Sequence, residues 1–258
     1  MGAVHLHIAQ HVAQVVIDDE AHHNAMSLAM WQQLHARFVQ IDTDDAVRAV
    51  VLRGAGDKSF VSGANIKEFD ALRSSPEAVA HYNQCVAAAQ NGIYRCRVPV
   101  IAAISGLCFG GGLGLALCTD LRYAATGTRF CMPAAKLGLG YDFEGMQSIV
   151  RHLGFAGAAE AFFTARVFDA PEAVQLGILN AVAAGDVFAH AQAVAEQIAR
   201  NAPLTIRAAK MAMRGIADGL SQPSEAITQA TVACFESNDY AEGRRAFAQK
   251  RPPVFKGQ

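Results

Sequence analysis

At 258 residues with 52% hydrophobic side chains, the chain can bury a large core, as one big domain or one domain plus a small appendage. A formal charge of −1 argues against nucleic acid or an anionic membrane as the main partner, because either would leave a basic surplus; local phosphate sites remain open. The start of the chain lacks the basic and apolar runs of a secretory signal, and no stretch approaches the roughly 20 apolar residues that span a bilayer, so a soluble, cytoplasmic protein is expected.

Residues 4–17 alternate apolar and polar like a strand pair, with Ala9, Gln10 and His11 at the turn. Ser27 is placed to cap a helix whose apolar face is Leu28, Trp31, Leu34, Phe38 and Ile41, and residues 47–52 form a buried strand. A helix over about 76–94 precedes a strand over 98–104. Another helix follows the glycines at 110–112, before a strand at 121–125. Such alternation implies an α/β core with largely parallel strands. From about Gly145 the chain looks almost wholly helical, with Pro171, Pro203 and Pro223 where first helical turns begin. The expected division is a core over 1–200 and a helical region over 201–258. The six cysteines show neither C-x-x-C spacing nor the density of a stapled secreted domain, and are expected to be buried thiols.

The segment I-S-G-L-C-F-G-G-G-L-G (104–114) carries the most chemistry. An apolar strand there runs into three consecutive glycines that open a helix. The first N–H groups of a helix lack internal partners and sit at the positive end of its dipole, so this corner can receive a developing negative charge. Close packing of strand on helix is the competing use of such glycines. A dinucleotide site fits poorly, since the third glycine of G-x-G-x-x-G is missing and no acidic residue lies on a second strand about 20 positions on.

Residues 60–69, F-V-S-G-A-N-I-K-E-F, repeat the pattern of small residues between a strand and a helix. Here the chain resembles the crotonase family, also called the enoyl-CoA hydratase/isomerase family, whose signature in this region is close to F-x-x-G-A-D-I-K-E. The resemblance continues at E-A-H-H-N-A-M (20–26), V-P-V-I-A-A-I-S-G (98–106), C-T-D-L-R (118–122) and F-C-M-P-A-A-K-L-G (130–138), and so covers nearly the whole chain. It implies an α/β fold, a crotonase-type spiral of repeated ββα or βαβ turns with a helical C-terminal region that builds a trimer, often paired into a hexamer. It also implies an acyl-coenzyme A substrate and no separate cofactor. The backbone N–H groups of Ala64 and Gly111 would form an oxyanion hole for the thioester carbonyl, where one donor is typically worth about 3 kcal/mol of barrier. Lys67, and Phe255 with Lys256 from an adjoining subunit or a moved helix, would bind the nucleotide end. Asn65 stands where the family usually has aspartate.

The departures are as informative. Hydratases of the family use two glutamates to handle water, and the corresponding positions here are Gly114 and Ala134. Neither can carry a proton, and general acid–base catalysis typically supplies 10²–10⁴-fold. The loop at 137–145 holds the remaining candidates. Asp142 falls where some isomerases of the family carry their acidic base, and Tyr141 where its methylmalonyl-CoA decarboxylase has a functional tyrosine. That decarboxylase carries a histidine where this chain has Ala64. Double-bond isomerisation is therefore the expected chemistry, with another hydratase arrangement, decarboxylation and a non-catalytic acyl-CoA-binding protein as alternatives. Asp142 also suits the N-cap of a helix starting near Phe143, and Glu144 its first turn, which favours a structural role for Glu144 over catalysis. His22 and His23 lack metal-ligand spacing, and no G-x-S-x-G elbow marks a serine hydrolase.

Overall fold

The chain opens on a hairpin in which β1 (Ala3–Ala9) and β2 (Val12–Asp18) pair antiparallel, as their alternation predicts. Gln10 and His11, between them, both take positive φ (49° and 70°), the turn geometry whose twist matches paired strands. The protein's computed structural model describes residues 2–72 and 74–258, with the side chains of Ala71 and Glu144 left out.

After α1 (Leu28–Thr43), whose Ser27 cap accepts from the Met30 N–H, the chain makes three similar turns of a spiral. Each lays one strand in a first sheet, a short strand in a second sheet, and then helix. The first turn is β3 (Ala49–Gly54), β4 (Ser59–Val61), α2 (Phe69–Leu72) and α3 (Pro76–Arg95). The second is β5 (Val100–Ile104), β6 (Leu107–Phe109) and α4 (Gly111–Cys118). The third is β7 (Leu121–Ala124), β8 (Arg129–Cys131), α5 (Ala134–Leu137) and α6 (Phe143–Thr164), the last broken at Gly154. Then β9 (Val167–Asp169), α7 (Ala170–Gln175), β10 (Ala181–Val182) and α8 (Val187–Ala199) close the two sheets, and α9 (Pro203–Ala217), α10 (Glu225–Glu236) and α11 (Asn238–Ala248) follow. The sheet orders are β1-β2-β3-β5-β7-β10 and β4-β6-β8-β9, parallel except for β1 with β2 and β8 with β9.

The continuous apolar runs of β3 and β5 follow from burial on both faces. Val50, Leu52, Ala102 and Ile104 face the main core with α1, α3 and α4, whereas Ala49, Val51, Ile101 and Ala103 pack beneath the Val187, Ala191, Ala195 and Ala199 stripe of α8.

Four expectations need correction. The apolar segment before the glycines is two strands and not one: β5 ends at Ile104, Gly106 has φ +65° where a β-carbon would fall 1.9 Å from the Lys58 carbonyl oxygen, the chain changes sheet there, and only β6 runs into the glycines. The stretch beyond Gly145 contains β9 and β10, too short for a periodic signal. Pro171 and Pro203 begin helices, but Pro223 precedes the cap Ser224 of α10. Cys96, Cys108, Cys118 and Cys131 are buried, but Cys85 and Cys234 are only half-buried; all six are free thiols.

One ionic cluster anchors α9 to the spiral. Asp120, just before β7, accepts from the Val100 N–H (2.8 Å), the Lys210 Nζ (2.7 Å) and the Arg214 Nη2 (2.8 Å). Lys210 is 5% exposed and also donates to the Val98 carbonyl. Removing one member of a buried ion pair strands the other charge, typically at 3–5 kcal/mol. Asp120→Ala should therefore cost about 3–5 kcal/mol, measured by urea unfolding followed through Trp31, the chain's single tryptophan. A loss below about 1 kcal/mol would remove this anchoring role.

His152 on α6 adds a pH dependence. Burial, with the nearby Arg122 charge second, holds its imidazole down to about 4, although its ring hydrogen-bonds the Ser148 carbonyl. Between pH 6.5 and 4 the unfolded chain binds a proton that the folded chain refuses, so stability falls as pH drops through that window and is unaffected by this group above it. Urea midpoints should fall less steeply between pH 6.5 and 4.5 in His152→Gln. Parallel slopes would assign the pH dependence to other groups.

Candidate active site

Two backbone corners meet over a cavity of about 390 Å³. The first lies beyond β4. Met26 donates to the Gly63 carbonyl and accepts from the Asn65 N–H, both at 2.8 Å, forming a single parallel bridge between Met26 and Ala64. That bridge consumes the groups flanking Ala64 and turns the Ala64 N–H to the opposite side. Buried Asn24 holds the loop that makes this possible. Its Nδ2 donates to the Ser59 (2.7 Å) and Ala55 (3.0 Å) carbonyls, its Oδ1 accepts from the Asp19 N–H, and its φ of +56° is one that asparagine tolerates better than most residues.

The second corner is the start of α4, where the three glycines serve three purposes. Gly110 takes φ +50° and ψ −114° and donates to the Cys131 carbonyl. A β-carbon on Gly112 would fall 2.1 Å from the Val61 carbonyl oxygen, so the helix can lie this close to β4 only without one. Gly111, the first residue of the helix, has its N–H outside the helical ladder. A β-carbon there would sit 3.8 Å from the Ala64 nitrogen and 3.3 Å from the Trp31 ring. Among the described residues neither the Ala64 nor the Gly111 N–H has an acceptor. The site thus presents two convergent donors, reinforced by the positive end of α4.

The cavity wall opposite is largely α3, with Trp31 beneath it donating its Nε1–H to Tyr82 (3.2 Å). The loop before α6 closes another side. Asp142 caps α6 by accepting the Gly145 N–H on Oδ1 (2.9 Å), and it also lines the cavity. Tyr141 lines it too, packed edge-on against Phe162 at 5.3 Å. Ala134 lines the cavity with no proton-bearing group, and Gly114 lies one turn beyond Gly111 in α4. The cavity therefore gathers Ala64, Gly111, Tyr141 and Asp142. Glu144 lies in the first turn of α6, but its side chain falls outside the described residues.

Lys67 lies in a 3-10 turn capped by Asn65, exposed and beside the cavity-lining Ile66. Phe255 and Lys256 are not brought to the cavity of their own chain. The Phe255 carbonyl accepts from Arg48, and the Lys256 and Gly257 N–H groups are held by Asp239 (2.7 Å each). His22 pairs with Asp19 at 3.0 Å, and among the described residues no three His, Cys, Asp or Glu cluster as a metal site. No helix among them is long and apolar enough to cross a membrane. Sequence reasoning placed Asn24 in a family motif without seeing its role in holding the loop, and it missed Gln90 on α3, which only the fold brings to the cavity.

The fold and this cavity define a class: a spiral α/β enzyme that receives a small molecule beneath two backbone amides. Residues 7–258 match the family model for enoyl-CoA hydratase/isomerase. Over 246 residues the chain is 31% identical to the short-chain-enoyl-CoA hydratase of Clostridium acetobutylicum, spanning 93% of this chain and 92% of that protein. Over 262 residues it is 30% identical to the carnitinyl-CoA dehydratase of Proteus mirabilis, spanning 99% of each. The solved structure of an enoyl-CoA hydratase/carnithine racemase from Magnetospirillum magneticum is similar with a TM-score of 0.94 at 37% identity, covering 100% of this chain and 97% of that one. The chain belongs to the enoyl-CoA hydratase/isomerase family, whose members act on acyl-CoA.

The glycine geometry yields a contrast in stability. Gly112→Ala drives a methyl into the Val61 carbonyl and should cost about 3 kcal/mol or prevent folding, whereas Gly111→Ala should stay within about 1 kcal/mol of wild type. Urea midpoints of the two purified variants decide this. Equal midpoints would mean that β4 and α4 are free to separate.

Proposed function

We propose that this cavity catalyses a double-bond shift in an enoyl-CoA thioester. The observation that carries the reading is the joint one: Ala64 and Gly111 offer two unpaired N–H groups, and Asp142 is the only carboxylate among the described residues that lines the cavity. Gly114 and Ala134 supply no acid or base for water.

In this reading the thioester oxygen accepts from Ala64 and Gly111. Asp142, with Oδ1 engaged by the Gly145 N–H, takes a proton from C2 on Oδ2. The C2–H electron pair moves into the conjugated system, charge collects on the thioester oxygen, and the two amides stabilise the dienolate. The same carboxylic acid returns the proton at C4, so atoms and charge balance without water. Tyr141 shapes the wall beside Asp142. Lys67 serves the nucleotide end of the substrate. Phe255 and Lys256 serve it across a subunit boundary, because this tail is tied down away from its own chain's cavity. That assignment requires an oligomer, for which the family resemblance supports a trimer or a hexamer of two trimers.

Asparagine caps helices about as well as aspartate, so it separates the two roles of Asp142. Asp142→Asn should keep the wild-type melting temperature and lose at least about 100-fold in kcat on 3-enoyl-CoA. The assay is a panel of 3-enoyl-, 2-enoyl-, dienoyl- and methylmalonyl-CoA, with products identified by mass and NMR. Wild-type turnover by Asp142→Asn removes the proposed base. Hydration of 2-enoyl-CoA without isomerisation replaces the reaction, and turnover of none by the wild type leaves a binding protein.

A further inference from the structure

The missing β-carbon at Gly114 is not simply empty space. A β-carbon there would lie 2.9 Å from Nε2 of Gln90, so the Gln90 carboxamide lies across the second turn of α4, in the space that a side chain at 114 would need. Gln90 lines the cavity, is half-buried, and its amide has no hydrogen-bond partner among the described residues. Gly114 is three residues from Gly111 and therefore on the same face of α4, about 4.5 Å along the axis. The amide thus lies close to the thioester end of the cavity.

We propose that Gln90 is a specificity-determining residue that hydrogen-bonds a neutral oxygen substituent, a hydroxyl or carbonyl, on the acyl chain near the reacting carbons. The inference rests on the acyl-CoA reading of the cavity and is independent of the role given to Asp142. A carboxamide presents two donors and an acceptor but carries no proton to transfer near neutral pH, so Gln90 positions rather than ionises. A purely aliphatic chain would cover this amide without satisfying it, and sites built to bond a polar group discriminate strongly against ligands lacking it. The surrounding wall sharpens the preference. Val79, Val86 and Ala87 are apolar, and no lysine, arginine or histidine lines the cavity among the described residues, which disfavours a carboxylate substituent. The helix that carries the amide is itself fixed, because Tyr82, Ala89 and Ile93 bury the adjoining face of α3.

Isothermal titration with butyryl-CoA and 3-hydroxybutyryl-CoA tests this, with the integrity of each ligand checked by NMR. The wild type should bind the hydroxylated ligand about 10-fold more tightly. Gln90→Leu should abolish that preference while keeping butyryl-CoA affinity within about 3-fold. Gly114→Ala, which pushes the amide aside without removing it, should reduce the preference as well and serves if Gln90→Leu misfolds. A ratio that is unchanged in both variants, or no preference in the wild type, overturns the inference while leaving the acyl-CoA site in place. Binding of neither ligand overturns that site and this inference together.

Discussion

The contact between Gly112 and the Val61 carbonyl sets the distance on which the site depends. α4 can lie directly against the end of β4 only because no β-carbon intervenes, and that approach brings Gly111 beside Ala64, where a β-carbon on Gly111 would fall 3.8 Å from the Ala64 nitrogen. Ala64 is oriented by a separate device, the single bridge to Met26, which in turn relies on the Asn24 amide bonds to Ser59 and Ala55. Both donors are thus fixed by the backbone, with no side-chain rotamer to reorganise when charge develops, which is the condition under which such donors stabilise an oxyanion best.

The remaining walls are held almost as firmly, by polar contacts placed away from the cavity. Tyr94 at the end of α3 donates to Asp218 at 2.8 Å, accepts from Arg151 of α6 at 2.7 Å, and lies beneath the Arg214 guanidinium of α9. Arg214 also belongs to the Asp120 cluster, so the helix that carries Gln90, the helix that begins at Asp142 and the helical extension are tied to one network. Burial, with the hydrogen bond to Asp218 second, pushes the Tyr94 phenol up, so it stays a neutral donor in that network.

Legibility in the sequence followed the range of the interaction. The hairpin, α1 with its Ser27 cap, α3, and the parallel strands β3, β5 and β7 were readable, because their periodicity and caps are local. The change of sheet at Gly106 was not, since what demands it is an approach to Lys58 from 48 residues earlier in the chain. At the site, the glycine run and the Ala64 segment were readable as two corners, but their convergence rests on long-range packing. Asp142 bears out its local reading as a helix cap, and the fold also places it on the cavity wall, where its reading as a base is a proposal. Gln90 had no signal at all, because a glutamine on a helix is ordinary until the opposite helix supplies a glycine.

That last pairing shows how one fold could hold two backbone donors in place while the side chains around them are exchanged. The amides of Ala64 and Gly111 belong to contacts the fold cannot lose without separating β4 from α4, whereas acids and bases are side chains that can be exchanged one at a time. Replacing a carboxylate at 114 by glycine removes a proton carrier and, in the same step, opens space that a longer side chain from α3 fills. That volume is bordered by the polar, uncharged Gln90 amide. In the proposed reading, the missing β-carbon one turn along α4 would then contribute both to acyl selectivity through Gln90 and, together with Ala134, to the absence of a proton carrier for water.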